Sequence, residues 1–284
     1  MRLLKRLLGL GGTGADGSDA GTKSPRDILM IVTKTPDEIQ KMRAAGRVVH
    51  AALKAMGEAI VPGKTTTHDL EEIAIRVLSS ARAESPFLGY APHSHPPFPA
   101  WTCISVNEEV VHGIPGRRVL QEGDIVSCDV GAKLNGWYAD SAWTFPVGRV
   151  SPEVDRLLKV GQEALYKAIA QAKAGNRVGD ISHAIERHAR QNGFSVVHEM
   201  VGHGVGRKLH EEPQVPCHGK PNSGPVLREG MTIAIEPMVN QGKRDIESLG
   251  DDWTIVTADR KRSAHFEHTV AVTRNGAVIL TQGE

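Results

Sequence analysis

The segment from Asp124 to Asp140 holds two aspartates, Asp129 and Asp140, on either side of Asn135-Gly136. Asn-Gly is the strongest short-range signal for a two-residue type I′ hairpin turn. With those two residues as the loop, Leu134 pairs with Trp137 and Asp140 falls opposite Gly131. Side chains alternate between faces along a strand, so Asp129 and Asp140 become diagonal neighbours on one face, their backbones about 7–8 Å apart. Val126, Cys128, Val130 and Trp137 flank them, which predicts poor solvent screening. Two ionised carboxylates placed there repel one another unless a cation sits between them. Taken alone, the segment is equally compatible with two exposed aspartates on an edge hairpin.

Further groups could complete such a site. His203 stands between Gly202 and Gly204, where missing side chains allow a close approach and an imidazole suits a transition metal; a buried structural histidine in a turn is the alternative. His210 follows in Leu209-His210-Glu211-Glu212-Pro213, where a histidine seen alone is more often a loop residue than a catalyst. Met231–Glu236 reads as a strand with Met231, Ile233 and Ile235 on one face, Glu236 on the other, and Pro237 ending the pairing. Glu267 lies in the apolar stretch Phe266–Val270, where a lone glutamate ordinarily occupies the solvated face. Together, two aspartates, two glutamates and one histidine would suit two metal ions. Oxygen-rich ligation with one imidazole favours manganese, iron, cobalt or zinc over copper.

Stepping from these groups to the elements that must carry them, Thr35-Pro36-Asp37-Glu38 reads as a capped helix start. Ile39, Met42, Val49, Leu53 and Met56 continue it as an apolar stripe at helical spacing. A second helix after Pro62-Gly63 carries Leu70, Ile73, Val77 and Leu78. The Pro/His-rich stretch from Pro86 to Pro99 is a loop, and strands run from Trp101 to about Phe145. The order then repeats. Ser151-Pro152 opens a helix with Val154, Leu157, Leu158 and Leu165, ended by Gly175; Ile181, Ala184 and Ile185 begin another; strands run from Phe194 onward. Gly63 followed by Asp69-Leu70 is echoed by Gly175 followed by Asp180-Ile181. The pattern predicts an α+β fold of two related halves, residues 35–150 and 151–284, with a site between them.

The 284 residues suffice for a sizeable core, and 40% hydrophobic with 24% charged residues is ordinary for a soluble protein. A net charge of +1 gives no global bias towards DNA or a membrane surface. Three cysteines without paired spacing argue against a disulfide framework and for a reducing cytoplasm. No apolar run reaches the roughly 20 residues of a membrane span, so no stable membrane insertion is expected. The basic, apolar start MRLLKRLLGL and the Gly/Ser/Asp-rich stretch after it are read as a flexible extension over residues 1–34, with a signal peptide and a weak interfacial helix as the alternatives.

The sequence resembles the type I methionine aminopeptidases, whose fold is called pita-bread. The resemblance runs from Thr35 to Thr281 and is carried by Val110–Pro115, Asp129 and Asp140, Gly202-His203-Gly204, His210–Pro213, Glu236-Pro237-Met238 and Glu267-His268-Thr269. It implies a single catalytic domain over residues 35–284 and two divalent ions (manganese, iron, cobalt or zinc) held by Asp129, Asp140, His203, Glu236 and Glu267. Glu236 would also move the proton of the attacking water, His210 would bind the scissile carbonyl and His112 the scissile nitrogen. Binding of the substrate's free amine by the ions would explain exopeptidase action. The methionine pocket would draw on Cys103, Leu209, Trp253, His95 and Phe98, the last two departing from the tyrosines usual there. The implied activity is removal of the initiator methionine ahead of a small second residue, by a cytoplasmic monomer in transient contact with the ribosome. The Xaa-Pro peptidases share the ligand pattern but usually carry a large additional N-terminal domain. Type II methionine aminopeptidases carry an insertion for which the stretch from His203 to Glu236 leaves no room. A non-catalytic protein of this fold that binds nascent chains would be marked by lost ligands, and all five are present.

Overall fold

The computed structural model describes residues 31–92 and 95–283, so most of the expected N-terminal extension lies outside the described residues. Thr35 opens helix α1 (Pro36–Glu58): its hydroxyl accepts the Glu38 backbone N–H, and its own N–H donates to the Glu38 carboxylate at 2.9 Å. Thr66 and Asp69 cap α2 (Thr67–Ser80) in the same reciprocal way. The chain is anchored slightly before the expected boundary. Lys34 donates its N–H to the Gly230 carbonyl at 2.7 Å, and its ammonium pairs with Glu211 at 2.6 Å.

Strands β1 (Cys103–Val106), β2 (Glu109–Val111), β3 (Ile125–Leu134) and β4 (Trp137–Pro146) complete the first half. Asn135 and Gly136 both take positive φ, 51° and 77°, as a type I′ turn requires. Leu134 pairs with Trp137 and Gly131 with Asp140, the register read from the sequence. β3 lies between β1 and β4, which excludes the edge-hairpin alternative for Asp129.

The second half repeats the plan with α3 (Pro152–Ile169), capped by Ser151, and α4 (Val178–Gln191). β5 (Ser195–Val196), β6 (Val201–Gly204), β7 (Glu211–Pro216), β8 (Thr232–Ile235) and β9 (Met238–Asn240) follow. The strands end with β10 (Ile246–Ser248), β11 (Ile255–Thr257), β12 (Ser263–His265), β13 (His268–Val272) and β14 (Ala277–Ile279). α3 ends at Ile169, short of the Gly175 expected from sequence. The reason lies in the backbone donors beyond it, which leave the helical ladder: Ala174 N–H goes to Thr273 O and Gly175 N–H to Leu227 O, both at 3.0 Å.

The duplication heard faintly in the sequence is a repeated hydrogen-bond pattern. Gly63 donates to Leu120 O at 2.8 Å while Leu120 N–H returns to Thr65 O at 2.9 Å. In the second half Gly175 donates to Leu227 O at 3.0 Å and Leu227 returns to Asn176 O at 2.8 Å. Both glycines take positive φ, 72° and 96°, a conformation that favours a residue without Cβ.

Leu70 and Leu78 share one core with Val126 and Cys128, while Leu157, Ile181 and Ile185 share the other with Ile233. Each such buried aliphatic side chain contributes about 1.5–3 kcal/mol. The halves interlock through the pairing of β2 with β11 and through β4 against β13, where Glu267 N–H donates to Ala142 O at 2.9 Å. Among the described residues no helix is long and apolar enough to cross a membrane.

Candidate active site

Asp129 on β3, Asp140 on β4, His203 on β6, Glu236 just after β8 and Glu267 just before β13 line one cleft of about 720 Å³. β8 and β13 pair up to Ile235 opposite His268. Glu236 and Glu267 therefore sit side by side where that ladder ends, the counterpart of the aspartate pair on β3 and β4. The symmetry extends further. Cys103 pairs with Asp129, and Gly204 pairs with Ile233, which by the same count brings Val201 beside Glu236. Nine residues beyond Cys103 stands His112, and nine beyond Val201 stands His210. The two candidate substrate histidines are thus structural counterparts, one from each half.

The glycines beside His203 have a steric cause. A Cβ at Gly202 would overlap the Ala234 carbonyl oxygen, and one at Gly204 would overlap that of Glu212, so larger residues would wedge β6 away from β8 and β7. His203 Nδ1–H donates to the Gly204 carbonyl at 2.9 Å, which leaves the Nε2 lone pair free. That nitrogen lies 3.4 Å from Asp140 Oδ2 and 3.7 Å from Glu236 Oε1. Thr269 steadies Asp140, its hydroxyl 2.9 Å from Oδ1 and accepting the Asp140 N–H at 3.1 Å.

Ligand atoms of Asp140, His203 and Glu267 lie within 4.8 Å of one another, and among the described residues no lysine or arginine lines the cleft. Burial raises the pKa of all four carboxyls. Asp129 is pushed up to about 8 by burial, opposed by His265 and reinforced by Asp140 and Glu236. Glu236 also reaches about 8, through burial against the pull of His203. Asp129 Oδ1 is buried with no hydrogen-bond partner. Four carboxylates that repel, one of them with an orphaned oxygen, beside an imidazole with a free lone pair make a donor set that fits divalent cations.

Above this floor stand the two histidines. Burial drives His210 well below the usual imidazole range and His112 down to about 4, so both are neutral. His210 Nδ1 lies 2.8 Å from the Tyr90 hydroxyl. His112 is held at a φ of 59°, and its Nδ1 is buried without a partner. Phe98, Cys103, Leu209 and Trp253 line the cleft together with Phe87, Tyr90 and Met200. Phe98 and Trp253 meet edge to face with centroids 5.1 Å apart. His95 is not among the lining side chains; its ring packs against Trp253 at 5.5 Å.

Sequence reasoning missed Tyr90, Thr269 and His265. Tyr90 and Thr269 act across the fold, 120 and 129 residues from their partners, and nothing local marks them. His265 was readable, because period-two alternation places it on the same face as Glu267.

Comparison with known proteins agrees with this geometry. The model of metallopeptidase family M24 matches residues 40–274. Methionine aminopeptidase 1 of Bacillus subtilis is 51% identical over 253 residues, 89% of this chain and 100% of the relative. The methionine aminopeptidase of Clostridium perfringens is 47% identical over 89% of this chain and 99% of the relative. The crystal structure of a methionine aminopeptidase from Thermotoga maritima superposes with a TM-score of 0.86 at 48% identity, covering 89% of this chain and 100% of that one. A prolidase from Pyrococcus furiosus shares the fold at 24% identity and a TM-score of 0.70, and only 66% of its length is covered. With its pita-bread architecture, the chain belongs to metallopeptidase family M24 and, within it, to the methionine aminopeptidases.

Proposed function

We propose that this chain removes the N-terminal methionine from nascent proteins and peptides with a small second residue. In this reading residues 35–284 act as one catalytic unit, and Asp129, Asp140, His203, Glu236 and Glu267 hold two divalent ions. The observation that carries it is the cleft itself: a floor of buried, mutually repelling carboxylates and an apolar aromatic wall of a size and polarity that suit a thioether. Manganese, iron, cobalt and zinc all suit the donor set. Bound ions would supply Lewis acidity to the carbonyl and bring the pKa of water towards neutrality.

The chain's own groups account for the rest. Glu236, as the ionised carboxylate, accepts a proton from the attacking water and returns it to the leaving amine. If the Tyr90 hydroxyl donates to His210 Nδ1, the imidazole proton is fixed on Nε2, where it can donate to the carbonyl oxygen as negative charge develops. Neutral His112 contacts the scissile nitrogen or the adjoining peptide. Phe98, Cys103, Leu209 and Trp253 seat the methionine side chain, with His95 packed against Trp253. A monomeric state, a cytoplasmic location and transient ribosome contact rest on the family resemblance.

The test is release of free methionine, after reconstitution with each metal, from Met-Xaa-peptides that vary in Xaa, alongside Xaa-Pro peptides. Methionine release that falls steeply as Xaa grows supports the reading. Preferential cleavage of Xaa-Pro peptides, or no release with any metal, refutes it.

A further inference from the structure

His265 closes β12 with 2% of its surface exposed and faces the same cleft as the five proposed ligands. Its backbone is fixed from both sides by one hydroxyl: the His265 N–H donates to Thr144 Oγ1 at 2.9 Å, and that hydroxyl donates to the His265 carbonyl at 2.7 Å. Pairing with Met238 on β9 adds a second anchor. The ring is therefore carried on a fully buried strand, the kind of support that holds a functional side chain in place.

Nε2 of His265 is buried and has no hydrogen-bond partner, an arrangement that demands an explanation in a folded interior. It lies 3.5 Å from Glu236 Oε2, while the other oxygen of the same carboxylate, Oε1, lies 3.7 Å from His203 Nε2. Glu236 thus stands between two imidazole nitrogens, one facing each oxygen. On the His203 side the donors gather tightly with Asp140 and Glu267. The remaining carboxylate is Asp129, whose Oδ1 is likewise buried without a hydrogen-bond partner.

We propose that His265 is a second imidazole of the metal centre, binding through Nε2 the ion on the Asp129 side as His203 binds the ion on the Asp140–Glu267 side. The inference rests on the two-metal reading above. It adds nitrogen to a position that would otherwise be bound by oxygen alone, and so shifts that position's preference from manganese towards cobalt, iron or zinc.

The competing role for His265 is a hydrogen bond that merely orients Glu236, and glutamine separates the two, because its amide can donate that bond but is a poor metal ligand. The chelator-stripped full chain, His265→Ala and His265→Gln are each titrated with cobalt(II), followed by calorimetry and visible absorption. We expect the parent to take up two ions. Both variants should keep the first and bind the second at least about tenfold more weakly, with the absorption of the second equivalent altered. Parent-like binding in both variants overturns the inference, as does full rescue by glutamine. X-ray absorption on the cobalt-loaded parent needs no variant: two imidazoles per chain are expected, and one overturns the proposal. A parent that binds fewer than two ions overturns the two-metal reading itself, and this inference with it.

Discussion

Tyr90→Phe removes one oxygen atom and leaves the ring that packs edge to face on His210 at a centroid distance of 5.2 Å. What is lost is the 2.8 Å hydrogen bond to His210 Nδ1. Without a donor there, the neutral imidazole is free to place its proton on either nitrogen, and the Nδ1–H form presents a lone pair to the substrate carbonyl. A hydrogen bond between neutral groups contributes about 0.5–1.5 kcal/mol net. At 1.36 kcal/mol per decade of rate, its loss corresponds to a drop of about 2- to 12-fold in kcat. Removing the donor itself, by His210→Ala, should cost about 100- to 1,000-fold, the range for an oxyanion donor. The assay is steady-state methionine release from a Met-Ala peptide with saturating metal, with kcat and KM resolved for parent and both variants. KM should move little in Tyr90→Phe, because the apolar wall keeps its shape. A kcat for Tyr90→Phe equal to that of the parent, alongside a large loss in His210→Ala, would refute the tautomer argument. A loss in Tyr90→Phe as large as that in His210→Ala would refute the magnitude.

Three further outcomes follow from the same structure. Gly204→Ala should lower stability by about 1–3 kcal/mol or more, since its Cβ would meet the Glu212 carbonyl; Gly116→Ala, with open space around its Cβ, should be near neutral, and chemical denaturation of both checks the contrast. In metal-free protein Asp129 and Glu236 hold protons up to about pH 8 that the unfolded chain releases near pH 4. The folded state thus binds extra protons in that window, while below about pH 6.5 the buried His112 and His210 oppose the effect, because they take up protons only on unfolding. From about pH 7 upward the carboxyls alone decide and stability must fall as pH rises; thermal melts in chelator from about pH 7 to 9 should show the decline, and added divalent ions should reverse it. Trp253→Ala strips the wall that meets Phe98, so KM for Met-Ala peptides should rise about tenfold, the scale of a few lost apolar contacts, with a smaller change in metal affinity by calorimetry.

How far the sequence carried the structure depended on whether the deciding contacts were local. Asn135-Gly136 fixed the register of β3 and β4 residue for residue, because the turn type leaves no freedom to slip. Thr35 and Ser151 marked helix starts through capping within three residues. The end of α3 was misplaced because it is set by hydrogen bonds to Thr273 and Leu227, partners far along the chain. Glu267 is 3% exposed, whereas a glutamate in an apolar strand read alone belongs on the solvated face. Only the approach of β4 to β13 places it against the aspartates, and the family resemblance, not its own surroundings in sequence, named it. His95 packs its ring against Trp253, a contact that loop sequence could not reveal.

The central claim is that Glu236, within a centre of two metal ions, serves the cleavage of an N-terminal methionine. It is tested most directly by Glu236→Ala, reconstituted with metal beside the parent and supplied with Met-Ala-containing peptide and its N-acetylated form. The account predicts that the parent releases methionine only from the free-amine peptide and that the variant releases almost none. Turnover by Glu236→Ala close to that of the parent, or equal cleavage of the blocked peptide, would contradict it.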